Sequence, residues 1–280
     1  MKLLRIGQKG KEKPAIFDQD GKIRDLSPLI KDLNPDYLNF ETISKLEDID
    51  PRTLPELSSS DRIGSCITKP GKFVAIGLNF SDHAAETGAD APSEPIVFMK
   101  ATSSINGPND DIEIVSGSKK LDWEVELGIV IGKETKHISQ DQSQDHILGY
   151  CLVNDISERE WQIEKMGQWV KGKSHDTYGP IGPHLVTKDE IADINNLKMS
   201  LDVNGKRMQT GNTSTMIFNV DFIVSYLSKF MSLQAGDIIT TGTPPGVGMG
   251  MKPQQFLKAG DKIRLSIENL GEQNSNVVIL

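Results

Sequence analysis

Cysteine is scarce in this 280-residue sequence: Cys66 and Cys151 are the only two. That excludes a disulfide framework or a multi-thiolate zinc site and leaves two packed, reduced thiols as the expectation. Long apolar runs are missing too. Nothing approaches a membrane span, and residues 1–10 lack the apolar core of a secretory signal, so a cytoplasmic protein with no membrane partner is expected. Positive charge is in deficit: 31 Lys and Arg stand against 39 Asp and Glu, for a net charge of −8. A chain of that sign argues against nucleic acid or an anionic surface as its main partner. An anionic substrate would need local cations or a metal to hold it. The remaining composition is that of a globular protein, and the length suits one large domain with or without a small appendage.

What is present centres on Leu121 to Gly132, where Trp123, Val125 and Leu127 alternate with Asp122, Glu124 and Glu126. That period of two is a β-strand with three carboxylates on one face. Ile129, Val130 and Ile131 continue it as an apolar run, the mark of burial on both faces. Carboxylates side by side and away from water repel one another unless one is protonated or a cation is bound. The plainer alternative is a half-exposed edge strand paired with Lys119 and Lys120. A second apolar run, Ile147 to Val153, stops at Asn154-Asp155, where Asp155 is placed to add a third oxygen ligand. Oxygen donors alone favour magnesium, manganese or calcium over zinc.

Residues 1–68 read as a small N-terminal α/β subdomain. Short strands turn at Asp20-Gly21, helix-like spacing around Ile43 and Leu46 is cut by Pro35, Pro51 and Pro55, and Ser58-Ser59-Ser60 forms a linker. Residues 69–280 form the main domain, opening with an apolar strand from Phe73 to Leu78. Ser81 then caps a short helix on which His83 and Glu86, three apart, share a face, so the carboxylate can orient the imidazole. Ala89 to Pro95 reads as a loop or lid.

Ile156 to Gln168 is compatible with a helix carrying Arg159 and Gln162 on one side, and Lys173 lies in a polar loop that begins at Trp169. A hairpin turns at Asn204-Gly205, Gln209 to Phe218 suits a pocket wall or a capped loop, and a helix spans Asp221 to Met231. The last strands are Lys262 to Ile267 and Val277 to Leu280. Gly246, Gly248 and Gly250 invite a nucleotide-binding reading, but no Gly-Lys-Ser/Thr accompanies them and Pro253 blocks the helix such a site needs. A rigid turn presenting backbone N–H groups and the Thr243 hydroxyl fits better.

The ordered set Gly77-Leu-Asn-Phe-Ser-Asp-His-Ala-Ala-Glu86, Asp122-Trp-Glu-Val-Glu-Leu127, Asn154-Asp155, Lys173-Ser-His-Asp-Thr, Asn212-Thr and Thr241-Gly-Thr-Pro-Pro-Gly-Val-Gly248 resembles the fumarylacetoacetate hydrolase family. The resemblance runs from about residue 70 to the carboxyl end, and the leading segment looks like the small domain that many bacterial members carry. It implies a mainly β, α+β fold with few helices: a mixed-sheet roll or barrel-like core, in a homodimer. It further implies magnesium or manganese, with calcium able to stand in within crystals, on Glu124, Glu126 and Asp155, and Asp122 as a structural acid. By the same resemblance His83 and Glu86 activate water on a lid, Lys173 and Gln162 sit beside the metal, and Arg159, Thr243, Asn212 and Gly242 contact a small anionic diketo or 2-oxo acid.

The expected reaction is hydrolysis of a C–C bond in a diketo acid, either an acylpyruvate or a sugar-derived 2,4-diketo acid. Decarboxylation of a 2-oxo acid such as oxaloacetate and isomerisation of a dienedioate are the alternatives within the family. A binding protein that keeps the metal without turnover is the alternative outside enzymes. Phe80 stands where the family commonly has tyrosine, and Ala89 to Pro95 offers no evident cation for a second substrate carboxylate.

Overall fold

The computed structural model describes residues 1–81 and 92–280. Two sheets dominate. The larger has nine strands in the order β3-β2-β1-β13-β10-β9-β16-β4-β5. These are β1 (Lys2–Ile6), β2 (Lys13–Phe17), β3 (Ile23–Asp25), β4 (Phe73–Gly77), β5 (Ile96–Lys100), β9 (Val125–Ile131), β10 (Ile147–Asn154), β13 (Leu185–Thr187) and β16 (Ile238–Thr240). The second has five, in the order β15-β14-β17-β18-β7: β7 (Ile112–Ile114), β14 (Lys198–Val203), β15 (Lys206–Asn212), β17 (Lys262–Ile267) and β18 (Gly271–Ile279). Two short pairs complete the set, β6 (Ile105–Asn106) with β12 (Gly179–Pro180), and β8 (Leu121–Asp122) with β11 (Ser157–Glu158). The architecture is mixed and mainly β as the resemblance implies, but among the described residues the larger sheet does not close on itself: β3 and β5 are its two terminal strands, β3 carrying one outer bridge from Arg24 to Glu56, so the barrel-like expectation resolves to an unclosed roll.

β9 and β10 lie at the centre and are buried along their whole lengths. One face, with Leu127, Ile129 and Leu152, packs on Leu201, Ile263 and Leu265 of the five-stranded sheet. The other, with Val130, Cys151 and Val153, packs under Leu33, Leu38, Ile43 and Leu46 from the N-terminal segment. Cover on both sides explains why these strands are continuous in Val, Ile and Leu. The N-terminal strands join the same sheet, since β1 pairs antiparallel with β13.

Helices are few and short. The spacing around Ile43 and Leu46 becomes α1 (Phe40–Glu47), capped by Asn39 and bearing those two residues on its buried face. The helix expected over Ile156 to Gln168 does not form as such. Ser157–Glu158 pair as a strand, and only Glu160–Glu164 coil, as one π-helical turn. A short α2 (Val170–Lys173) stands where a loop was expected. α3 (Val220–Ser228) is the helix read from Asp221 onward, with Asn219 accepting from the Phe222 N–H at 2.9 Å. The Asn204-Gly205 hairpin is present, both residues at positive φ (52° and 76°). Among the described residues no helix is long and apolar enough to cross a membrane.

Candidate active site

The site begins with strand register. In the antiparallel β9–β10 pair Glu126 faces Val153 and Val125 faces Asn154, and the ladder extends one step further through the Asp155 N–H on Glu124 O at 2.9 Å. Residues directly opposite share a face, as do residues two apart on one strand. Glu124, Glu126 and Asp155 therefore emerge on the face that carries Val130 and Cys151 further along. Apolar core gives way to three buried carboxylates at the end of one strand pair. One oxygen from each lies within 4.8 Å of the others.

Asp122 does not join them, because the strand expected to run unbroken from Leu121 is interrupted at Trp123-Glu124. Its carboxylate instead accepts from the Trp123, Gly248 and Met249 N–H groups at 2.9, 2.7 and 3.0 Å and from Arg159 Nε at 2.8 Å. It pins the glycine-rich turn beside the site, which is a structural role.

Cations enclose the carboxylates. Lys173 Nζ donates to Glu124 Oε2 at 2.6 Å and to Asp155 Oδ2 at 2.7 Å, and Arg159 Nη2 reaches Glu124 Oε1 at 2.5 Å. Arg159 also holds Gln162, through Nη1 to Oε1 at 2.9 Å. Burial penalises charge on Glu124, but Arg159 and Lys173 outweigh it and hold its carboxyl down at about 2. Glu126 goes the other way: burial, with Asp155 and Glu124 beside it, pushes its carboxyl well above the usual range. Its two donors, the Thr240 hydroxyl and the Gly242 N–H, both address Oε2, at 2.5 and 3.0 Å. Burial works against charge on Lys173, and the attraction of Asp155 and Glu124 still raises it above an ordinary lysine.

Three carboxylates, one of which resists ionisation because of burial and then of the other two, form a hard oxygen donor set that a divalent cation would relieve. The residues thus fit magnesium or manganese.

Above them lies a cavity of about 210 Å³, lined by Glu124, Glu126, Asp155, Arg159, Gln162, Lys173, Gly242 and Thr243 together with an apolar wall. Gly242 has φ 93°, and a Cβ there would come within 2.9 Å of the Asn79 Cβ. Its N–H is already committed to Glu126. Thr243 donates to Val125 O at 2.9 Å and accepts from Gln209 Nε2 at 2.8 Å, so its hydroxyl braces β9 as well as facing the cavity. Asn212 is not among the lining residues. It accepts from the Ser214 N–H at 2.8 Å and donates to Asn196 at 3.0 Å, capping a turn. His83 and Glu86 lie outside the described residues, as do Ala89 to Ala91 of the segment read as a loop or lid.

Three buried residues escaped the sequence reading. Lys100, at the end of β5, is 1% exposed and donates to Asp155 Oδ1 at 2.6 Å and to the Lys173 carbonyl. A lysine closing an apolar strand was the available signal. Asn79 ties Phe218 and Thr241 to the end of β4, donating to Phe218 O at 3.0 Å and Thr241 O at 2.8 Å while accepting from the Phe218 N–H at 2.8 Å. Gln209 joins β15 to the Val125 N–H at 3.0 Å. The last two stood inside stretches the sequence singled out, but nothing local marks which groups they would bind.

Comparison with known proteins points one way. The sequence profile of the fumarylacetoacetate (FAA) hydrolase C-terminal family matches residues 72–278. A relative from Burkholderia lata, named in general terms as a hydrolase, is 58% identical over 274 residues, 98% of this chain and 97% of its own. Among solved structures the chain is similar to fumarylacetoacetate hydrolase from Exiguobacterium antarcticum (34% identity, TM-score 0.88, 100% of both chains). It is similar to 2-hydroxyhepta-2,4-diene-1,7-dioate isomerase from Mycobacterium marinum (29%, TM-score 0.74, 100% of this chain and 98% of that one). Maleylpyruvate hydrolase from Sphingobium sp. SYK-6, in complex with manganese(II) and pyruvate, is also similar (26%, TM-score 0.83, 100% and 99%).

Proposed function

Because the chain belongs to the fumarylacetoacetate hydrolase family, we propose that it is a divalent-metal-dependent hydrolase that cleaves a C–C bond of a small diketo acid. The observation that carries this reading is the cluster of Glu124, Glu126 and Asp155 on one sheet face, beneath a cavity and beside Lys173. Glu124, Glu126 and Asp155 would hold magnesium or manganese, which would supply Lewis-acid polarisation of a 2-oxo acid carbonyl. A manganese ion together with pyruvate in the Sphingobium hydrolase supports the same pairing of metal and 2-oxo acid.

The protein's own groups do the rest. Lys173 brings positive charge to where negative charge develops on the substrate. Arg159 and Gln162, joined by a hydrogen bond, orient the substrate at the cavity wall. His83, oriented by Glu86, takes the proton of water, whose oxygen adds to the carbonyl remote from the carboxylate. The C–C bond then breaks with its electron pair on the carbon next to the 2-oxo group. Proton return to that carbon completes a carboxylic acid and a 2-oxo acid. A homodimer in the cytoplasm is part of the same proposal.

If no water is delivered, the same charge stabilisation gives keto–enol isomerisation or decarboxylation, and the isomerase among the similar structures favours keeping that second reading. The test is turnover of acetylpyruvate and of oxaloacetate by the purified protein with magnesium, with manganese and with chelator. Metal-dependent release of acetate and pyruvate supports hydrolysis, and carbon dioxide from oxaloacetate alone replaces it with decarboxylation. Replacing His83 by Ala separates enzyme from binder: turnover disappears with metal still bound in the first case, and nothing measurable changes in the second.

A further inference from the structure

The cavity lining is of two kinds. Its cationic lining residues, among the described residues, are Arg159 and Lys173, and both are committed to the carboxylate cluster. Of its polar lining residues, Gln162 is held by Arg159, and Thr243 by Val125 and Gln209. The remaining wall is apolar: Ile76, Leu78, Phe98, Ile163, Trp169 and Met249.

This wall is constructed rather than incidental. Leu78 lies in the left-handed region at φ 52°, a conformation that costs a leucine energy and is retained because the next residue, Asn79, is locked to Phe218 and Thr241. Trp169 meets Phe98 edge to face, ring centres 5.2 Å apart. It lies so close over Gly77 that a Cβ there would come within 2.5 Å of the Trp169 Cζ3.

The lysines beside this wall are already engaged: Lys173 Nζ lies over the Phe98 ring, 5.2 Å from its centre, while held by Glu124 and Asp155. Lys165 pairs with Glu160 at 3.3 Å and lies over the Trp161 ring, and Lys171 donates to the Lys165 carbonyl. Residues 82–91 contain no lysine or arginine.

We infer that the end of the substrate remote from the 2-oxo acid is an uncharged, apolar acyl chain and not a second carboxylate, with Leu78 and Trp169 as the residues that select it. The inference rests on the reading of the site as one for 2-oxo acids. A carboxylate set against this wall would be desolvated with no unpaired counter-ion among the described lining residues. Each methylene buried there instead gains about fourfold in affinity.

Calorimetry of the manganese-loaded protein with 2-oxohexanoate and 2-oxoadipate tests it, because the two acids have equal chain length and differ at the far end alone. The monoacid is expected to bind at least about tenfold more tightly, and Trp169→Arg is expected to reverse that order. Equal or tighter binding of 2-oxoadipate by the wild-type protein overturns the inference, as does failure of both acids to bind. A preference for 2-oxohexanoate without turnover of any acylpyruvate sinks the hydrolase reading alone and leaves the selectivity standing.

Discussion

Lys100 and Asp155, 55 positions apart in the chain, form a buried ion pair of 2.6 Å in which the lysine is fully enclosed. The same ammonium donates to the Ile156 carbonyl at 3.4 Å and to the Lys173 carbonyl, so its three protons are shared between one carboxylate and two backbone oxygens. Lys173 takes the other oxygen of Asp155 and lines the cavity, whereas Lys100 does not line it. Burial disfavours charge on Lys100, Asp155 restores part of it, and the net direction is downward. Lys100 is thus a brace holding a candidate metal ligand and the candidate catalytic lysine in one register.

Removing that brace has a defined consequence. Lys100→Met leaves Asp155 Oδ1 and two carbonyls without their donor, and breaking a buried pair from one side costs about 3–5 kcal/mol. Urea unfolding is expected to show that loss, and titration with manganese a weakening of at least about tenfold through the displaced Asp155. A variant of wild-type stability and metal affinity would refute the bracing role.

Glu126 behaves differently, because its neighbours Glu124 and Asp155 oppose its charge. Glu126→Gln keeps the shape and an acceptor oxygen while removing a carboxyl that already resists ionisation in the metal-free protein. Stability without metal is therefore expected to change by less than about 1 kcal/mol, while manganese affinity falls at least about tenfold. Denaturant curves with and without metal separate the two effects.

Asn79 makes three buried hydrogen bonds across Phe218 and Thr241. Asn79→Ala strands these partners in the interior and frees Leu78 from its left-handed conformation. The expected cost is about 2–4 kcal/mol by thermal or urea unfolding. Binding of apolar 2-oxo acids is expected to weaken more than binding of pyruvate, since Leu78 belongs to the far wall.

His184 is 8% exposed with no hydrogen-bond partner on either ring nitrogen, and burial, helped by Lys2, pushes its pKa down to about 4. Its unfolded value is near 6.5. Between those limits the unfolded chain binds a proton that the native state refuses, so stability rises with pH across the window and is lost as pH falls from about 6.5 to about 4. The loss amounts to roughly 3 kcal/mol. His184→Leu is expected to flatten that part of the pH–stability curve, which unfolding at a series of pH values will measure.

Much of the site was legible before any fold was known. The alternation through Glu124 and Glu126 is a local signal, because a strand's period of two is dictated by neighbouring residues alone. Asp155 was legible as the polar residue where an apolar run stops, Lys173 through a motif in the family's order, and Arg159 and Gln162 through the roles the resemblance implies for them. What could not be read was pairing across distance. That Asp155 lands opposite Glu124, that Asp122 leaves the row to hold Gly248, and that Asn212 caps a turn away from the cavity depend on β9 and β10 being clamped between the five-stranded sheet and the N-terminal segment. Lys100 and Asn79 belong to the same category, since their partners come from strands and loops far along the chain. The sequence by itself determined which residues could ligate, donate or pack; the tertiary structure decided which of them meet, because strand register is selected by the burial of both faces at once.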